Sequence, residues 1–146
     1  LRLKIIIPVA LSGLFIIITS IIYFGTPNSL KDYEDLMKQF ATNEKLALEL
    51  YTMPSNSTKE DLLYEIKDRG LYYWNENIDI LNKVETLKGL PDEIMTRNAV
   101  IRQYCDLRIE AYKFIYNAVN EETNLYDSLI MEKNKEIEHV LSLLEE

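Results

Sequence analysis

Cysteine, histidine and tryptophan occur once each in these 146 residues, and glycine and proline four times each. A lone Cys105 excludes an intrachain disulfide in any compartment. It reads as a small apolar residue inside a helix interface, with an intermolecular bridge as the alternative. A lone His139 leaves little for metal or triad chemistry. It stands in Glu136-Ile137-Glu138-His139, the Glu-x-x-His spacing of carboxylate-bridged di-metal bundles, but those sites need two such pairs and further inward carboxylates. A solvated polar face is the expectation. Sparse glycine rules out a Gly-rich phosphate loop, and no motif orients a serine or Cys105 towards His139 for nucleophilic catalysis. No enzymatic activity, cofactor or metal site is therefore expected.

Basic residues are also scarce, 16 against 24 acidic ones, for a formal net charge of −8. Such a surface repels phosphate backbones and anionic headgroups, so nucleic acid is not an expected partner and basic partners are. A length of this order suits one compact domain that can bury a core without disulfides or metal.

Long apolar runs are missing too, with one exception. Residues 5 to 24, IIIPVALSGLFIIITSIIYF, are uncharged and about long enough to cross a ~30 Å hydrocarbon layer as a helix. Arg2 and Lys4 precede the run, whereas Lys31, Asp32, Glu34 and Asp35 follow it. The positive-inside bias then keeps the N-terminus cytoplasmic and puts the rest outside. A cleaved signal peptide is the rival reading. The run exceeds the 7–15 residues of a usual signal core, and Thr19 to Gly25 offers no A-x-A site, which favours an uncleaved anchor. The expected division is a cytoplasmic stub and signal-anchor helix over 1–25 and an extracytoplasmic domain over 26–146. The setting is the envelope of a bacterium, which the Ile, Lys, Asn and Glu richness also suits.

Four stretches of helical periodicity follow, none with an interior proline. The first spans about Ser29 to Thr52, with Ser29 as cap and Leu30, Tyr33, Met37, Phe40, Ala47, Leu50 and Tyr51 as its apolar stripe. Met53 to Ser57, with Pro54 inside, is a turn. The second starts behind a Ser57 or Thr58 cap and reaches about Leu87, its stripe running through Ile66, Gly70, Tyr73, Asn77, Ile80 and Val84. Mid-helix Gly70 costs roughly 1 kcal/mol against alanine, which points to a close crossing with a bulky neighbour such as a tyrosine. Lys88, Gly89, Leu90 and Pro91 end that helix. The third, from Asp92 to about Thr123, is apolar on two faces. The fourth runs from about Leu125 to Leu144, with Leu125, Leu129, Ile130, Ile137, Val140, Leu141 and Leu144 inward, and it could be nearly continuous with the third. Amphipathic helices joined this tightly form an all-α, up-down-up-down antiparallel four-helix bundle behind a single N-terminal transmembrane helix.

Polar residues within the stripes are the candidate site residues. Asn77, Asn98 and Arg108 sit at helical spacing with apolar neighbours, and buried polar groups need partners. One reading pairs Arg108 with Glu44, Glu76 or Glu110 to fix helix register. The other makes a pocket in which Arg108 binds a carboxylate or phosphate bidentately. Tyr72, Tyr73 and Trp74 are consecutive and cover about 200° of helix, so at least one faces a groove or partner, with Tyr72 or Trp74 expected there.

Two functions of different class follow. The first is a non-enzymatic, membrane-anchored interaction or scaffold module that binds another envelope protein, with a second copy of the chain also admissible. The alternative is a ligand-sensing bundle that takes a small anion between helices. Its layout resembles the extracytoplasmic sensor domains of bacterial receptors. Those carry a second span and a cytoplasmic output domain, which these residues do not, so signalling would need a partner.

Overall fold

The computed structural model describes residues 27–145, and these are all-helical, with four helices and no strand. The expected anchor at residues 5 to 24 lies outside the described residues. Among the described residues no helix is long and apolar enough to cross a membrane.

The first helix is α1, Pro27–Ala47, tightened at its end into a 3-10 turn over Leu48–Thr52. It begins two residues earlier than expected, so Ser29 is not its cap; the Ser29 hydroxyl donates to the Lys88 carbonyl at 2.7 Å and ties the start of the first helix to the end of the second. The second helix comprises α2 (Lys59–Tyr64), a π-helical stretch over Glu65–Leu71 and α3 (Tyr72–Thr86), without a break between them. Thr58 caps it through a full capping box with Asp61, satisfying two backbone donors at once. Gly89 takes a φ of 79° in the turn that follows.

The third helix is α4, Asp92–Glu121, and the fourth is α5, Asp127–Glu145. They are separate. Glu122 adopts the left-handed conformation (φ 51°), and the Glu122 and Thr123 amides close back on the Val119 and Ala118 carbonyls. Lys59 holds this unfavourable corner from the second helix, donating to the Asn120 carbonyl at 2.7 Å and to the Glu122 carboxylate at 2.9 Å.

Side-chain bonds give the relative directions. Asn77 reaches the Phe40 carbonyl and Arg69 reaches Glu49, so the first two helices are antiparallel. Arg102 meets Asn82 and Glu85 on the second, and Arg97 and Glu110 on the third meet the Leu144 carbonyl and Lys133 on the fourth. The shared core includes Met37, Phe40, Ile66, Trp74, Leu81, Ile101, Tyr104, Cys105, Tyr112, Ile115 and Val140.

The π-helical stretch corrects the inner face of the second helix. An i→i+5 turn absorbs one more residue than an α-turn. Between Gly70 and Asn77 the fully buried position therefore falls to Trp74 rather than Tyr73, and Trp74 is withdrawn from the surface expected for it. Gly70 does mark a close crossing. A Cβ there would lie 2.6 Å from Tyr112 Cδ1, inside any real contact distance.

The fourth helix also departs from expectation at its start. Leu125 belongs to the preceding turn and is 78% exposed, and Leu129 is 38% exposed. The inner edge begins at half-buried Ile130 and passes through buried Asn134 before reaching Ile137, Val140, Leu141 and Leu144. A polar residue such as Asn134 adds nothing to an apolar stripe, which hid this position.

Candidate functional site

Three residues of α4, one turn apart, carry the polar chemistry of the core: Tyr104, Arg108 and Tyr112. Spacing of four puts them on one face, which α4 turns towards the first two helices. Tyr104 donates its hydroxyl to Glu44 on α1 at 2.8 Å, and Tyr112 donates to the Ala47 carbonyl at 2.6 Å, where α1 tightens into its 3-10 turn. Arg108, only 7% exposed, lies between them.

The expected carboxylate partner of Arg108 is not in place. No carboxylate oxygen comes within 4.0 Å of the guanidinium among the described residues; Glu110 pairs instead with Lys133, and Glu76 is exposed. Glu44 acts on Arg108 through space, with Tyr104 bonded to it. What packs against the guanidinium is aromatic. Its carbon sits 5.2 Å from the centre of the Tyr104 ring and 5.8 Å from that of Tyr51, both within cation–π range.

These contacts continue into a closed circuit. Tyr104 meets Trp74 edge-on at 5.4 Å, Trp74 meets Tyr112 at 6.4 Å, Tyr112 meets Tyr51 at 6.0 Å, and Tyr51 returns to Arg108. Five side chains from three elements thus surround one locus. Three carry buried polar atoms with no hydrogen-bond partner: Arg108 Nε, Trp74 Nε1 and the Tyr51 hydroxyl.

The other candidates are distributed differently. Asn77 follows Trp74 by about one turn, and its amide nitrogen donates to the Phe40 carbonyl at 3.2 Å while Oδ1 is unpartnered. Asn98 is 2% exposed with neither amide atom partnered, but it lies roughly 15 Å along α4 from Arg108 and belongs to another layer. Tyr72 is 53% exposed, with its ring edge against Tyr73. Tyr51, Tyr104 and Tyr112 were legible as aromatics but not as site residues, because tyrosine at core spacing gives the same signal whether its hydroxyl is structural or functional. His139 is exposed, and among the described residues no group of three His, Cys, Asp or Glu side chains is placed to hold a metal ion.

Burial dominates the electrostatics. It pushes the Glu44 carboxyl above the ordinary 4.5, with Tyr104 and Arg108 opposing, and it raises the Glu65 carboxyl against the pull of Arg69. It drives the Cys105 thiol far above its ordinary value, so Cys105 is a protonated core side chain rather than a nucleophile.

The Glu44 and Glu65 shifts set a pH dependence. A carboxyl whose folded pKa exceeds its unfolded one favours the fold when protonated. That contribution is complete below about pH 4.5 and is lost as pH rises through the folded values. Asp61 and Glu122 have lowered pKa values from their bonds to Thr58 and Lys59, and they weaken the fold only in stronger acid. Thermal unfolding followed by circular dichroism should therefore give a higher Tm at pH 5 than at pH 7, with falling self-repulsion acting in the same direction. Glu44→Gln, which keeps an acceptor for Tyr104, should flatten part of that slope. A Tm that rises steadily from pH 5 to 7 would contradict the burial of both carboxyls.

No family model matches this chain, and no curated protein or solved structure matches it.

Proposed function

We propose that this chain is a non-enzymatic interaction or scaffold module of the cell envelope: an up-down-up-down helical bundle, tethered through residues 5 to 24, whose second helix docks a basic protein partner outside the membrane. The observation that carries this reading is the pair Tyr64 and Tyr72, 59% and 53% exposed on the outer side of that helix. Tyrosine joins a large apolar face to a hydrogen-bonding tip and is favoured where interface energy concentrates. Asp68 and Glu76 continue the same steps of four residues and are exposed without an ion-pair partner among the described residues. Together with the net charge of −8, this suits a partner that presents arginine or lysine, which can pair with the carboxylates and lie over the rings. Trp74, being enclosed, has no part in the docking face.

Crosslinking of the tagged full-length protein in its native membranes tests the proposal. A stoichiometric envelope protein should be captured, and Tyr64→Ala with Tyr72→Ala should cut that capture at least tenfold while leaving Tm unchanged. Undiminished capture by the double variant would remove this face from the reading.

A further inference from the structure

Tyr64, Asp68, Tyr72 and Glu76 follow one another by four residues along the second helix, and all four are exposed. In an unbroken α-helix such a series spirals round the axis, because each step of four overshoots a full turn by about 40° and would set Tyr72 about 80° from Tyr64. The π-helical stretch Glu65–Leu71 lies between the two tyrosines and takes up one extra residue, which winds the later side chains back by about 100°. Overshoot and winding back nearly cancel. Tyr72 and Glu76 therefore each end within about 20° of Tyr64, in a straight row about 18 Å long. The row is held from behind. Gly70 seats the stretch against the Tyr112 ring, and Arg69 ties it to Glu65 at 3.3 Å and to Glu49 on the 3-10 turn. A surface fixed in this way loses little freedom when a partner docks.

We propose that this row takes a single helix of the basic partner, laid lengthwise on the second helix, with arginines on one face at alternate spacings of three and four residues. The inference rests on the docking face already proposed and gives the shape of what docks there. Charge and length choose this occupant. Asp68 and Glu76 alternate with the tyrosine rings and have no ion-pair partner among the described residues. An arginine set between two neighbours of the row bonds the carboxylate with one edge and lays its plane over the ring. Successive members of the row are about 6 Å apart, which is also the separation of neighbouring residues on one face of a partner helix. An extended segment fits less well. The second helix uses its own backbone groups internally and offers none to a strand, whereas a docking helix satisfies its own.

Full-length protein in nonionic detergent micelles is titrated against two fluorescently labelled, alanine-based peptides of about 20 residues, long enough to form a helix unaided. Both carry the same number of arginines. In one they share a face at alternate spacings of three and four, and in the other they are spread evenly round the helix. Fluorescence anisotropy should show the one-face peptide binding at least tenfold more tightly than its isomer. Tyr64→Ala with Tyr72→Ala, and separately Asp68→Asn with Glu76→Gln, should each remove that preference. So should Tyr72→Ala with Asn75→Tyr, which keeps the number of exposed tyrosines and moves one of them about 60° off the row. All these positions are exposed, so circular dichroism should give an unchanged Tm. Equal affinity for the two peptides overturns the proposal, and so does a preference that survives any of the three variants. Its failure is distinguishable from failure of the docking face. Capture of an envelope protein that is lost with Tyr64→Ala and Tyr72→Ala, alongside equal peptide affinities, keeps the face and removes the helix; capture that ignores both tyrosines removes the face as well.

Discussion

Gly70→Ala should destabilise the protein by about 3 kcal/mol, lowering Tm by about 10 °C. The expectation runs against the ordinary rule, under which alanine for glycine inside a helix gains roughly 1 kcal/mol by relieving backbone entropy. The ordinary rule loses because the Tyr112 ring occupies the space a Cβ would need. That ring cannot step aside cheaply. Its hydroxyl is fixed to the Ala47 carbonyl at 2.6 Å, and its edges are set against Tyr51 and Trp74. A double-mutant cycle isolates the cause. In a Tyr112→Ala background the Gly70→Ala change should become neutral or mildly stabilising, giving a coupling of about 3 kcal/mol between the two positions. Chemical unfolding of the four proteins measures it. A Gly70→Ala protein more stable than the parent would mean that Tyr112 does not pack against bare backbone.

The crossing at Gly70 was readable because a mid-helix glycine carries a cost that needs a reason, and close packing is the commonest. The start of the second helix at Ser57 or Thr58, the turn at Gly89 and the buried Asn77, Asn98 and Arg108 were readable on similar grounds, because local chemistry or helical spacing decides them; which of the two hydroxyls caps, and the reciprocal bond from Asp61, came from the structure. The π-helical stretch was not, since the apolar residues around Gly70 fit an α-helical stripe through Tyr73 about as well as a shifted one through Trp74. Only packing against Tyr112 separates the two. The aromatic surroundings of Arg108 were hidden for a related reason. A sequence shows which carboxylates exist but not their reach across helices, and Glu44 turned out to engage Tyr104 while Glu110 was taken by Lys133. Glu122 broke the third helix from the fourth through tertiary support from Lys59, a clip 63 residues away in the chain.

Trp74→Ala should have the largest effect of any single change, a loss of about 4 kcal/mol. Trp74 is fully enclosed, and its ring touches both Tyr104 and Tyr112, the two residues that join α4 to α1. Deleting the indole therefore opens a cavity at the point where three helices meet, and the neighbouring tyrosines cannot collapse into it without giving up their hydrogen bonds. Against a total stability of about 5–15 kcal/mol for a domain, such a loss brings part of the population to unfolding near physiological temperature. Tyr72→Ala, two residues away, should stay within about 0.5 kcal/mol of the parent, because its ring is half in solvent. Urea unfolding followed by far-ultraviolet circular dichroism makes the comparison without needing the tryptophan signal. A Trp74→Ala loss below about 1 kcal/mol would show that the indole is not the centre of the core. The contrast also decides how a partner-capture experiment is read. Capture lost with Trp74→Ala reports a fold that has come apart, whereas capture lost with Tyr72→Ala at unchanged stability reports the docking face itself.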